Sequence, residues 1–171
     1  NRPFSSVEEM DETLIANWNA RVGPNDNVYH LGDVGLCQPE QLRSILNRLN
    51  GRIHLIKGNH EKPAMQCRDR FEWVKDYYEL KVDDPQCHRG KRLICLMHYA
   101  MRVWNVSHHG SWHLYGHSHG SLPDDPHALS FDVGVDCHNY IPLSYPEVRD
   151  IMSRKDWESP FAKEKRQQTA E

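Results

Sequence analysis

Four short apolar runs in this chain each pass directly into a segment built from Gly, Asp, Asn or His, and this repeated transition limits the fold more than any other feature. Asn27 to Leu31 leads into Gly32-Asp33-Val34-Gly35, and Arg52 to Lys57 leads into Gly58-Asn59-His60-Glu61. Lys91 to Met97 ends at His98, and Ser111 to Tyr115 leads into Gly116-His117-Ser118-His119-Gly120. Runs of this length and composition, bounded in this way, read as strands. In α/β sheets the loops at the carboxyl ends of strands gather at one edge, where ligands bind. Asp33, Asn59, His98, His117 and His119 are therefore expected to converge although they are far apart in the chain.

Helical patterns alternate with these strands. Ser6-Val7-Glu8-Glu9 has the form of a capping box and opens a stripe of Val7, Met10, Leu14, Ile15 and Trp18 that ends near Arg21. A second helix begins around Pro39, carries Leu42, Ile45, Leu46 and Leu49, and stops at Asn50-Gly51. Residues 64 to 76 suit a short helix, Tyr77 to Val82 a strand, and Ala128 to Val135 another strand. Ser144 to Ser153 suits a last helix with Ser144 as its cap and Glu147 three residues on. Residues 1–153 are expected to form one domain and 154–171 a weakly anchored polar tail, whose large apolar groups are Trp157 and Phe161.

Composition removes several function classes. A net charge of -3 offers no general basic face for coating a duplex, so nucleic acid is a less favoured partner than a small molecule. No apolar run is long enough for a membrane span, and Asn1-Arg2-Pro3-Phe4 does not open a signal peptide. Five cysteines without a C-x-x-C pair read as free thiols, which suits a reducing, cytoplasmic setting. Histidine is the anomaly: half of the 12 lie between His98 and His119. Imidazole is the commonest metal ligand and the proton carrier of neutral pH.

Taken as ligands, Asp33, Asn59, His98, His117 and His119 supply one carboxylate, one amide oxygen and three imidazoles. A mixed nitrogen and oxygen set without thiolate suits Mn, Fe, Ni or Zn, with Mn the first choice, better than Ca or Cu(I). A carboxylate can bridge two ions, and ions about 3.5–4 Å apart can hold a hydroxide between them for in-line attack on phosphorus. Gly32, Gly58 and Gly116 each precede a candidate ligand, where the backbone turns sharply beside the site.

Gly32-Asp33, Gly58-Asn59-His60-Glu61, the strand-final His98 and Gly116-His117-Ser118-His119 together resemble, in order and separation, motifs two to five of the calcineurin-like metallophosphoesterase superfamily. The resemblance runs from about residue 27 to 136. Arg2-Pro3-Phe4, Trp18-Asn19 and Gly110-Ser111-Trp112-His113-Leu114 further resemble its small bacterial and phage members. It implies a four-layer αββα sandwich, two mixed sheets face to face with helices outside. It also implies a dinuclear phosphoesterase with two divalent ions. Asp33 would bridge both; Asn59, His98 and His117 would complete the second site, and His119 would belong to the first. His60 resembles the family histidine that stabilises the phosphoryl oxygen or protonates the leaving alkoxide. The family's first motif, Asp-x-His, has no match before Asp33, and the expectation is that an amino-terminal strand carrying it precedes Asn1. Val34-Gly35-Leu36-Cys37 stands where relatives of protein-phosphatase type carry further Asp and Arg, which argues against a phosphoprotein substrate.

The substrate expected is a small phosphodiester, phosphomonoester or nucleotide. Arg102, four residues after His98, suits bidentate binding of its phosphate. Two competing readings are a catalytically silent scaffold on the same fold, bound to a protein partner, and a single-strand nuclease. His30 and His54 read as ordinary strand histidines, Trp104 as packing beneath its loop, and Asp136-Cys137-His138 as strand-end structure.

Overall fold

Two sheets carry the seven strands of the computed structural model, which describes residues 2–87 and 90–161. The first sheet has the order β1-β2-β3, with β1 at Asn27–His30, β2 at Arg52–Ile56 and β3 at Trp73–Lys75. The second has the order β4-β5-β6-β7, from Tyr77–Asp83, Lys91–Met97, Trp112–Tyr115 and Ser130–Asp132. Helices α1 (Val7–Arg21), α2 (Pro39–Leu46), α3 (Lys62–Met65) and α4 (Tyr145–Ser153) complete the α/β architecture.

Of the two sheets expected to be mixed, only the second is: β4 and β5 pair antiparallel and the remaining pairs are parallel. The first sheet is parallel throughout. Its two connections run through α2 and α3, and crossovers of that kind return the chain in the same direction.

Side-chain alternation along β2 separates two cores. Ile53 and Leu55 face Leu42 and Leu46 of α2 together with Ala64, Cys67 and Phe71. On the other phase, Ile56 joins Leu31, Ile94, Leu96, Trp112, Leu114 and Phe131, and this cluster also takes in Val148 and Met152 of α4. The first core fastens helices to the parallel sheet, and the second unites both sheets with α4. Helix starts follow local chemistry: Ser6 accepts the Glu9 N–H at 3.1 Å, and the Ser144 N–H and hydroxyl both reach Glu147.

Some boundaries differ from the sequence expectation. The stripe expected to reach Leu49 leaves the α-helix at Leu46 and closes with tighter backbone bonds from Arg48 and Leu49. Residues 64 to 76 hold the end of α3, a 3₁₀ turn at Arg68–Arg70 and the three-residue β3, too short a strand to leave a period. Residues 154–161 make contacts with the domain: Trp157 packs beside Gly110, Phe161 stacks 5.2 Å from the His109 ring, and Lys155 pairs with Asp124 at 2.5 Å. The rest of the expected tail lies outside the described residues. Among those described, no helix is long and apolar enough to cross a membrane.

Two histidines serve the fold in their neutral form. His113 is fully buried; its Nδ1 donates to the Cys95 carbonyl and its Nε2 accepts the Met101 N–H, each at 3.0 Å, which ties down the loop after β5. Burial lowers the pKa of His113 and pushes that of His30 down to about 4. The unfolded chain therefore takes up these protons first, as pH falls below the ordinary histidine value. Stability is expected to be full near pH 7 and to decline steadily toward pH 4, with His30 alone contributing on the order of 3 kcal/mol of the loss. Urea midpoints measured across that range check this; a flat profile contradicts it.

Candidate metal centre

The strand ends deliver their polar segments to one place. His98 directly follows β5 and is 1% exposed; its Nδ1 lies 2.6 Å from the Leu31 carbonyl, just beyond β1. A carbonyl only accepts, so Nδ1 carries the hydrogen and the Nε2 of neutral His98 is a lone pair. Around that lone pair lie Asn59 Oδ1 at 3.0 Å, His117 Nδ1 at 3.1 Å and Asp33 Oδ2 at 3.5 Å. Ligand atoms of Asp33, His98 and His117 all fall within 4.8 Å of one another. An ion seated among them would be met by the amide oxygen, the carboxylate and both imidazole nitrogens at once. The donor set thus fits one divalent ion of the borderline class.

Backbone geometry at the site is unusual. Asp33, His117 and His119 have φ of 54°, 63° and 47°, the left-handed region that side-chain-bearing residues seldom occupy. Strain of this kind gathers at functional sites, where the surroundings impose it. Gly32 has φ 96°, and a Cβ there would come within 2.5 Å of His98 Nδ1 and 2.6 Å of the Gly58 nitrogen. A Cβ at Gly58 would strike the Asp33 carboxylate. The two loops can approach only because both positions are glycine.

Glu61 locks that approach. It is buried, and its Oε1 accepts the N–H of Gly58 at 3.1 Å and that of Asp33. Burial raises its carboxyl above the ordinary range, and these backbone donors oppose the rise. Asp33 Oδ1 in turn accepts the His60 N–H at 2.8 Å. The sequence motif contained Glu61 but gave it no role; its burial and its bonds to both loops make it the brace between them.

Asp33, Asn59, His98 and His117 are brought together. His119 is not part of that cluster: its ring turns to Asp136, with Nδ1 2.6 Å from Oδ2. The carboxylate at Asp136 captures the ring, and an isolated sequence gives no sign that residues 119 and 136 meet. His60 is exposed beside Asn59. Arg102 is exposed and makes no ion pair or hydrogen bond among the described residues. Trp104 lies beneath its loop, donating Nε1–H to the Ser111 carbonyl at 3.1 Å. Tyr99 was not singled out from sequence; its ring packs edge-on 4.9 Å from His98 and 4.7 Å from His117 while staying 42% exposed.

No family model matches the chain. It is 36% identical over 161 residues to the uncharacterized protein MJ1445 of Methanocaldococcus jannaschii, covering 90% of this chain and 81% of that protein. The Gene 66 proteins of Mycobacterium phages L5 and D29 are 26% and 29% identical over 172 residues, covering 86% and 85% of this chain and 83% and 84% of theirs. The crystal structure of the protein of unknown function AQ665 from Aquifex aeolicus shares the fold, with a TM-score of 0.60 and 18% identity over 87% of this chain and 88% of that one. The chain belongs to the same family as the Methanocaldococcus protein.

Proposed function

We propose that this chain, as a member of that family, is a metal-dependent phosphoesterase of calcineurin-like type acting on a small phosphodiester, phosphomonoester or nucleotide. One observation carries the reading: His98 Nε2 has Asn59 Oδ1, His117 Nδ1 and Asp33 Oδ2 within 3.5 Å, a cluster of nitrogen and oxygen atoms that suits a divalent cation. Asp33, Asn59, His98 and His117 would hold this ion. A second ion would share Asp33 and draw on His119, and Mn is the first choice for both, ahead of Fe, Ni or Zn. A divalent ion bound here supplies Lewis acidity toward a phosphoryl oxygen.

The chain's own groups have separate tasks in this reading. The His60 backbone is fastened to Asp33, and its imidazole makes no hydrogen bond among the described residues, so it can give a proton to the departing ester oxygen. Arg102, likewise without an ionic partner, offers a two-pronged grip on phosphate oxygens.

The full chain, stripped with chelator and reloaded with Mn, is expected to retain ion through dialysis and to hydrolyse bis-p-nitrophenyl phosphate or a p-nitrophenyl monoester. His60→Gln should lower kcat by about 10²-fold or more, with the ion count unchanged. A reloaded chain that holds no ion and turns over neither ester favours the silent scaffold instead.

A further inference from the structure

Asp136 lies outside the ion-facing cluster, yet two side chains engage its carboxylate. Arg2 grips it with both prongs, Nε to Oδ1 at 2.6 Å and Nη2 to Oδ2 at 3.0 Å. Its Oδ2 also lies 2.6 Å from His119 Nδ1. The Arg2 hydrogen bonds are the main reason that the Asp136 carboxyl stays below its ordinary range.

The surroundings fix this carboxylate in place. Asp136 sits in a 3₁₀ turn at Val135–Cys137, closed by Cys137 N–H to the Gly134 carbonyl at 2.9 Å and His138 N–H to the Val135 carbonyl at 3.0 Å. Nearby Asp132, buried, accepts the Gly120 N–H at 3.2 Å and the Gly134 N–H at 2.8 Å. One carboxylate therefore holds the backbone of the His119 loop, and the other holds the ring. On the outer side, the Arg2 segment is seated by Phe4, whose ring meets Tyr140 at 5.0 Å.

His119 needs such a partner if it is to act at the site. Its side chain is 63% exposed, so without a bond the ring would sample several rotamers and both tautomers. Its backbone also holds φ 47°, in the left-handed region. An ionised carboxylate only accepts, so the bond puts a hydrogen on Nδ1, and in the neutral ring the lone pair is then on Nε2. His98 has the same polarity, with Nδ1 bound to the Leu31 carbonyl and Nε2 facing the site.

We infer that Asp136, held by Arg2, is a positioning residue that fixes His119 in the Nδ1–H tautomer and presents its Nε2 as a ligand or proton acceptor. Partners of this kind orient metal-binding histidines, and losing one weakens ion affinity by roughly 10- to 100-fold. The use of that nitrogen rests on the phosphoesterase reading; the tautomer does not.

The test uses the full chain, ¹⁵N-labelled and chelator-treated, with histidine tautomers read from long-range proton–nitrogen correlations. The unsubstituted protein is expected to show His119 as a single Nδ1–H form. In Asp136→Ala and in Asp136→Asn, which keeps the shape but can donate as well as accept, His119 should shift to a mixture of tautomers while His113 keeps its native pattern. Should Asp136→Ala lose the His113 pattern, and with it the fold, Asp136→Asn decides. An unchanged His119 tautomer beside a native His113 overturns the inference. Zn titration by calorimetry adds a second readout, with affinity expected to fall about 10- to 100-fold in both variants. If the unsubstituted chain binds no Zn, the phosphoesterase reading fails while the tautomer result still judges Asp136.

Discussion

Asp33→Ala is expected to strip the chain of its ion and to lower kcat/KM for bis-p-nitrophenyl phosphate by roughly a thousandfold or more, equivalent to about 4 kcal/mol of transition-state stabilisation. The effect is large because Asp33 supplies the one carboxylate among the three groups that come within ion-holding distance. Its Oδ2 faces His98 Nε2 at 3.5 Å, and its Oδ1 holds the His60 N–H at 2.8 Å. Removing it leaves two imidazoles and an amide oxygen with no negative charge to offset a divalent ion. Alanine at φ 54° also carries about 1 kcal/mol of backbone strain that aspartate tolerates better. Asp33→Asn keeps the local shape and separates the loss of charge from that strain. Ion counts, kcat/KM and thermal melts on both variants check the prediction. Turnover unchanged in both would rule out Asp33 as a ligand.

Gly32→Ala is expected to be as damaging, through the fold rather than the charge. A methyl group there would lie 2.5 Å from His98 Nδ1 and 2.6 Å from the Gly58 nitrogen, at a φ of 96° that alanine resists. Both obstacles belong to fixed groups: a buried ring and a backbone amide. Relief requires His98 to leave the Leu31 carbonyl or the Gly58 loop to retreat. Overpacking and backbone strain together put the loss at about 2–5 kcal/mol, with ion affinity falling alongside it. Urea unfolding and ion retention measure both. Gly90→Ala, at φ 66°, brings backbone strain of the same kind but meets no atom within 4 Å and should leave ion retention intact, which makes it a control for the close contacts at Gly32.

Much of this architecture was readable in the chain itself, because the signals were local. β2 announced itself by the alternation of Ile53 and Leu55 against His54 and Ile56, and α4 by Ser144 and Glu147, which form the bonds that their spacing suggests. The convergence of Asp33, Asn59, His98 and His117 was legible from their places at strand ends, although the strands belong to two sheets and not to the single sheet edge expected. What stayed hidden depended on pairings across the chain. β3 is three residues long, and its parallel partnership with β2 is decided by neighbours, not by period. The direction of the His119 ring is set by Asp136, and Arg2 reaches that carboxylate across 134 positions. Glu61 had no visible role because its work is done by backbone donors, which are the same for every residue type.

The candidate ligands come from both sheets. Asp33 and Asn59 follow β1 and β2, whereas His98 and His117 follow β5 and β6, and the bond from His98 to the Leu31 carbonyl already joins residues 67 positions apart. An ion held among them would rivet one half of the sandwich to the other, as a disulfide would, but removable by a chelator. Ion release should then loosen the seam between the halves before either half comes apart. Amide exchange at the ends of β1 and β5 would quicken first, and the strength of the seam would follow the free ion concentration around the protein.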